Sequence, residues 1–356
     1  MEHSLPLQTQ TKYLDRTDLS AQAANFDSIP IIDMDGLFSE HLSDRQQVAK
    51  ALGDACRNVG FFYIINHRVS SAQIAEAYRV AKAFFSLPLQ DKLRYHLSQS
   101  EHHRGYFGVG DLRADLHEQE SFDVLEGYEI GLELTDDDRA HLSNSIVYGP
   151  NVWSTQPPDF KTVLCTYFDT MLSLGRSLFR GFALALDLPE NYFDDKITRP
   201  MAQLSLMHYP PQQLPLNPKQ IGVGAHTDYE CFAILNQDAA GLQAQNNLGQ
   251  WIEVPPIPGS FVVNIGDSMA RWTNDLFAAT IHRVINVTGT SRFSIPFFFG
   301  PNHDAMLACL ESCHGAERPP KYAPIQAGEW TAANLSAVYT YINPSQKDAT
   351  HLISSP

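Results

Sequence analysis

Apolar positions in the first third of the chain alternate between two periods. After a polar, aperiodic stretch over residues 1–27, which reads as an N-terminal arm, IPIIDM from Ile29 is a short β-branched run of strand type. From Asp44, the positions Val48, Ala51, Leu52, Ala55 and Cys56 recur at helical spacing and predict an amphipathic helix that stops near Gly60. GFFYIINH follows as a continuous apolar run of strand length. Ile74, Tyr78, Ala81 and Phe85 then predict a second helix from near Ser71 to Pro88. Residues 100–156 carry His, Gly and acidic residues without a clear period and predict a loop-dominated region. A long helix is predicted from about Pro158 to Leu186, where Leu164, Phe168, Met171, Leu172, Phe179, Phe182 and Leu186 share a face. Beyond Pro200 the texture becomes short apolar strands set off by Pro, Gly and Asn: QLSLMHYP, CFAILNQ, GLQAQ, QWIEVP, SFVVNIGD, ATIHRVIN and SRFSIPFFFG. That spacing argues for a sandwich, jelly roll or barrel, with Asn246-Asn247-Leu248-Gly249 as a hairpin turn.

Composition narrows the class. With 356 residues and 44% hydrophobic content, the chain can bury a substantial core. A formal charge of −15 argues against nucleic acid and against an anionic membrane surface, because both need clustered Lys and Arg. No apolar run approaches the ~18 residues of a membrane helix, and the N-terminus has no signal or transit pattern. Five scattered cysteines, an odd number, suit reduced thiols. The expectation is a soluble cytoplasmic protein with no obligatory protein partner evident.

The candidate chemistry begins at GAHTDYE. His226 and Asp228 are an i, i+2 pair, so on extended backbone they share a face and present two ligands to one ion. A polar turn at a strand end has the same spacing. His282, inside ATIHRVINV, offers a third ligand from another strand, and two imidazoles with one carboxylate form the open facial arrangement of non-haem Fe(II) oxygenases. Arg292 and Ser294 again share a face and make a receptor for a carboxylate. Arg292 precedes the apolar IPFFFG, where a buried guanidinium needs an anion. Tyr209, in LMHYPP, adds a phenol that could donate to the same carboxylate. His102-His103 reads as a solvated loop pair, and Cys309, Cys313 and His314 as packing and free thiol, since nothing supplies a clear fourth ligand.

Taken in order, HTD at 226–228, HRV at 282–284 and RFS at 292–294, with HYPP at 208–211 and NIGD at 264–267, resemble the Fe(II)/2-oxoglutarate-dependent dioxygenases of the isopenicillin N synthase-like superfamily. IPIIDMDGL, CRNVGFFYIINH, RWTND and FFGPNHDA extend the resemblance over most of residues 28–330. It implies a mainly β fold with flanking helices (α+β), a distorted double-stranded β-helix or jelly roll. The implied parts are an N-terminal helix/strand region at 28–156, a long helix and connection at 157–199, a core at 200–303 and a C-terminal segment at 304–356 packing on the core, all one structural unit.

By the same resemblance His226, Asp228 and His282 hold Fe(II), Arg292 and Ser294 hold the distal carboxylate of 2-oxoglutarate with Tyr209 assisting, and Asp267 and Asn274 are turn or supporting residues. O2 is the second cosubstrate and ascorbate a reductant. Many relatives carry an arginine in the strand before the tyrosine, where this chain has Leu204-Ser205-Leu206. The implied reaction oxidises an unactivated C–H bond of a small metabolite, hydroxylation by default, with succinate and CO2 released, in specialised metabolism. Tyr106, Phe107, Phe122, Phe232 and Phe298 are the aromatic candidates for the substrate pocket. Two alternatives stay open: an iron oxidase of the isopenicillin N synthase type that does not use 2-oxoglutarate, and a non-catalytic jelly-roll binding protein.

Overall fold

The computed structural model describes residues 29–112, 114, 123–134, 145–213, 216–217 and 219–339. The predicted N-terminal arm, Phe122 and residues 340–356 lie outside the described residues. The N-terminal elements run β1 (Ile31–Asp33), α1 (Leu42–Asn58), β2 (Phe61–Ile65) and α2 (Ser71–Phe85), as the hydrophobic periods predict. Gly60 ends α1 with φ +71°, and a Cβ there would collide with the Ala278 carbonyl, so only glycine fits the turn. Ser70 opens α2 with a capping box closed by Gln73, which satisfies free N–H groups of the first turn.

Between these elements and the long helix α3 (Phe160–Ala185), the structure departs from the loop expectation. Gly105–Phe107 and Glu126–Gly131 are two paired strands, β3 and β4. Their sequences hide this, because three of their nine positions are glycine and both faces are buried, which erases alternation. Gly127 is where the Phe107 ring packs, in space that a Cβ would occupy.

The second half supplies β5 (Pro200–Tyr209), β6 (Val223–His226), β7 (Phe232–Gln237), β8 (Leu242–Gln245), β9 (Trp251–Glu253), β10 (Phe261–Ile265), the short helix α4 (Asp267–Trp272), β11 (His282–Val284), β12 (Arg292–Asn302), β13 (Met306–Leu307), β14 (Ile325–Gln326) and helix α5 (Ala327–Val338). Among the described residues, eight strands form one sheet in the order β1-β2-β10-β7-β12-β5-β4-β3, and β6-β11-β8-β9 form a second. One cavity is lined from both sheets, by Met207, Tyr209 and Ser294 on one side and Val223, His226 and His282 on the other. This is a distorted jelly roll, mainly β with flanking helices. The turn between β8 and β9 is the hairpin expected at Asn246–Gly249, closed by Asn246 N–H to the Gln250 carbonyl at 2.9 Å.

Strand parity decides which residues see the cavity. On β12, Arg292, Ser294, Pro296 and Phe298 face it, while Phe297 and Phe299 point the other way, against Phe168 and Phe179 of α3. On β7, Ala233 and Leu235 face the cavity and Phe232 turns to α3, stacking on Phe299 and edging Phe179 and Phe182. Each of these buried rings contributes on the order of 2–3 kcal/mol of transfer free energy, so this side of the sheet is the rigid backing of the site.

Candidate functional site

His226 ends β6 and His282 begins β11, and the antiparallel register sets them directly opposite one another, with ring centroids 4.3 Å apart. Asp228 follows two residues after His226 and reaches the same point: its Oδ1 is 3.5 Å from His226 Nε2 and 3.6 Å from His282 Nε2. One ligand atom from each of the three lies within 4.8 Å of the others, and no other such group of His, Cys, Asp and Glu occurs among the described residues.

The partners of these side chains fix their orientation. His226 Nδ1–H donates to the Gly224 carbonyl at 2.8 Å and His282 Nδ1–H to the Thr280 carbonyl at 3.1 Å. A carbonyl only accepts, so each ring holds its proton on Nδ1 and turns the Nε2 lone pair inward. Asp228 Oδ2 accepts from Asn264 Nδ2 at 2.6 Å, which leaves Oδ1 for the centre. The turn at 228–231 is clasped by the start of α4: the Asp267 N–H donates to the Asp228 carbonyl at 2.7 Å and the Gly266 N–H to the Cys231 carbonyl at 2.9 Å. Asp267 also accepts from the Thr227 hydroxyl.

Burial, then the neighbouring His226, pushes His282 down to about 4, so it is a neutral donor at neutral pH. Burial alone would raise Asp228, but His282, His226 and Asn264 outweigh it and hold the carboxyl down to about 2. Burial also works against a charged His226, yet the Asp228 carboxylate leaves that ring raised. Two imidazole nitrogens turned inward and an ionised carboxylate, with no fourth ligand in the group among the described residues, suit a divalent transition metal that takes the place of any proton on His226 and keeps positions open for exogenous ligands.

The same cavity contains a buried cation with a free donor. Arg292 is fully buried; its Nη2 donates to Gln237 Oε1 at 2.7 Å and its Nε to the Ala239 carbonyl at 3.1 Å, while Nη1 has no partner. The register of β12 on β5 sets Tyr209 opposite Arg292 and Met207 opposite Ser294. The Tyr209 ring lies 4.6 Å under the guanidinium, and its hydroxyl is 3.5 Å from Ser294 Oγ. A buried cation with an orphaned N–H fork beside two hydroxyls fits one carboxylate of a dicarboxylic cosubstrate.

Of the aromatic candidates, Phe298 lines the cavity. Tyr106, Phe107 and Phe232 do not; they are core residues. Tyr106 is buried with its hydroxyl on Glu126 at 2.7 Å, in a network with Lys92 and His208. Phe107 packs on Gly127 and Tyr339, and Phe232 lies on the α3 side of its strand. His103 is likewise not solvated: it is 1% exposed with its ring against Tyr339. Asn274 is a turn residue with φ +54°, bonded to the Cys313 and Pro319 carbonyls. All five cysteines are free.

Sequence reasoning missed Glu129, Gln203, Glu230 and Asn264, all of which line the cavity. Glu129 is fully buried, and accepts from Gln203 Nε2 at 2.6 Å, from the Ser205 hydroxyl and from the Tyr339 hydroxyl at 3.3 Å. Burial pushes its carboxyl up to about 7. The available signal was a lone polar residue inside an apolar strand, Glu129 in GYEI and Asn264 in FVVNI. The serine of Leu204-Ser205-Leu206 points to Glu129, so the strand position lacking an arginine is used for a neutral contact.

An open site of two histidines and one carboxylate in a jelly roll, beside a buried arginine, defines a non-haem iron oxygenase by its class of fold and chemistry. Residues 200–301 match the family model described as the 2OG-Fe(II) oxygenase superfamily, and residues 29–156 the one described as non-haem dioxygenase in morphine synthesis N-terminal. The 2-oxoglutarate-Fe(II) type oxidoreductase ppzC of Metarhizium majus is 37% identical over 329 residues, covering 87% of each chain. The homoarginine-6-hydroxylase 2-ODD-233 of Oryza sativa is 33% identical, over 86% of this chain and 96% of that one. The crystal structure of a full-length Neurospora crassa protein in complex with alpha-KG and thymine superposes with a TM-score of 0.79 at 29% identity, covering 88% of this chain and 98% of that one. The chain belongs to the Fe(II)/2-oxoglutarate-dependent oxygenase superfamily, whose enzymes use Fe(II) and 2-oxoglutarate. Among the described residues no helix is long and apolar enough to cross a membrane.

Proposed function

We propose that this enzyme oxidises an unactivated C–H bond of a small metabolite, with hydroxylation as the default outcome and desaturation, epoxidation or ring formation reachable on the same site, in a specialised pathway. His226, Asp228 and His282 are the proposed iron ligands, and Arg292, Ser294 and Tyr209 the proposed grip on 2-oxoglutarate. When bound, the metal couples the oxidative decarboxylation of 2-oxoglutarate by O2, to succinate and CO2, to the oxidation of the substrate.

The residues' own work is positioning. Gly224 and Thr280 hold the imidazole protons away from the centre, and Asn264 turns Asp228 Oδ1 toward it. Leu235, Leu242, Val284, Pro296 and Phe298 keep the cavity apolar and dry. The observation that carries the reading is the convergence of three ligand atoms with the orphaned Arg292 Nη1 on one cavity. Support for a small substrate comes from the relatives: the rice enzyme is named for homoarginine, and the Neurospora crassa protein was crystallised with thymine.

The test is anaerobic addition of Fe(II) and 2-oxoglutarate, which should produce a visible charge-transfer absorption in the wild type and none in His226→Ala, followed by a metabolite screen for coupled succinate release. Substrate turnover without 2-oxoglutarate would sink the proposal in favour of the isopenicillin N synthase type.

A further inference from the structure

We propose that Gln203 and Phe298 are the substrate-reading residues of this cavity, and that they select a flat, uncharged molecule with an amide edge, H–N–C=O, as in a lactam, an imide or a cyclic urea. The inference rests on the oxygenase reading above and adds the class of substrate to it.

The sheet registers place this pair. Asn264 on β10 is opposite Ala233 on β7, Ala233 is opposite Phe298 on β12, and Phe298 is opposite Gln203 on β5. Residues paired across a sheet share a face, and all four line the cavity. The row therefore starts at the residue that holds Asp228 Oδ2 and ends at Gln203, three strand spacings or roughly 14 Å away. Arg292 stands at the other end of the cavity face of β12, beyond Pro296 and Ser294, so the proposed grip on 2-oxoglutarate runs along the strand and leaves this row to the substrate. Past Gln203 the row closes at Gly131, where the Arg104 guanidinium takes the space a Cβ would occupy.

Phe298 is the floor of the row. Phe293, Phe297 and Phe299 of the same strand each pack on another ring, whereas Phe298 is half-buried and has no aromatic partner among the described residues. Ala233 beside it contributes only a methyl group. The ring is left for a flat ligand to stack on.

Gln203 is the polar end. Its Nε2 donates to Glu129 Oε2 at 2.6 Å, and that bond fixes which way the amide points. Glu129 keeps the bond in either protonation state, because a carboxyl proton can be given to the Ser205 or Tyr339 hydroxyl oxygen. The Gln203 carbonyl oxygen and its second N–H have no partner among the described residues. An acceptor and a donor on one planar group are complementary to another amide edge, and a substrate that supplies it satisfies both at once. An ester or a carboxylate has no proton to give the Gln203 oxygen and leaves it unpaired.

The experiment titrates protein loaded anaerobically with Fe(II) and 2-oxoglutarate. The probes are small-ring lactams, imides and cyclic ureas, flat and saturated, each beside the isostere in which a ring oxygen replaces the N–H. A shift of the visible bands reports seating beside the metal, and succinate release on admitting air reports turnover. At least one N–H compound should shift the bands and release succinate with its oxygen isostere tenfold or more weaker. Gln203→Met, which keeps the length and removes both polar atoms, should narrow that preference to under threefold. A merely structural role would weaken both members of a pair alike and leave their ratio unchanged. Flat rings should also be favoured over their saturated counterparts, and Phe298→Leu should erase that preference, which keeps the test open should Gln203→Met fail to fold. Oxygen isosteres that act as well as their N–H partners, a panel in which no compound shifts the bands, or preferences untouched by the variants overturns the proposal. Absence of the bands in the wild type before any probe is added is a different result, and refutes the oxygenase reading itself.

Discussion

At the scale of single residues, the site is a set of groups each oriented by hydrogen bonds to its neighbours, and Arg292 shows what that implies. Its guanidinium is anchored through Nη2 and Nε, and Nη1 is left for a ligand. Lysine keeps the charge but has neither the fork nor the reach of three fixed N–H directions. Arg292→Lys should raise the KM for 2-oxoglutarate about 10- to 100-fold, the loss of one to two charge-assisted hydrogen bonds, while Fe(II) affinity stays near wild type. Succinate formation against 2-oxoglutarate concentration, beside an anaerobic Fe(II) titration, checks both halves. Arg292 and Ser294 were legible because an i, i+2 pair on a strand shares a face whatever the rest of the fold does. Glu129 and Glu230 were not, since one lies on β4 and the other in the turn before β7, and no spacing relates them. Phe232 was misread by a single step of parity: its neighbour Ala233 is the residue that faces the cavity.

At the scale of elements, the metal-ligand turn depends on a close approach. Gly266, between β10 and α4, sits where a Cβ would collide with the Glu230 carbonyl and come within 2.9 Å of the Asp228 carbonyl. Both contacts are backbone and cannot swing aside. Gly266→Ala should therefore push residues 228–231 out of position, lowering stability by about 1–3 kcal/mol and weakening Fe(II) binding. A melting curve and an anaerobic metal titration measure the two effects, and a variant with wild-type iron affinity would show that the clasp does not position Asp228. The helices α1, α2 and α3 were readable from one-sided periodicity. The strands β3 and β4 were not, because glycines that make room for Phe107 and Arg104 remove the pattern that would announce them.

At the scale of the whole molecule, the large sheet separates an aromatic backing on α3 from the cavity in which Glu129 is buried, and that burial has a cost that depends on pH. The folded protein keeps a proton on Glu129 up to about pH 7, whereas the unfolded chain releases it near 4.5. Between those values the native state binds more protons than the unfolded one, so this group's contribution falls as pH rises and levels off above about 7. The span corresponds to roughly 3 kcal/mol. The gain in stability of Glu129→Gln over wild type should therefore be larger at pH 8 than at pH 5, and denaturant melts at both values measure it; an equal difference at the two pH values would refute the shift.

The sequence by itself determined the helical and strand periods, the ordered HTD, HRV and RFS motifs, and hence the oxygenase family. These survive in one dimension because each is local: a repeat of 3.6 or 2, or a pair two residues apart. Tertiary structure decided what sequence spacing cannot encode. The register of β6 on β11 sets His226 opposite His282, the register of β12 on β5 sets Arg292 over Tyr209, and sheet closure brings Glu129 and Glu230 into the same cavity. Those juxtapositions depend on which strands pair and in what register, and that is set by packing over the whole core rather than by the residues that form the site.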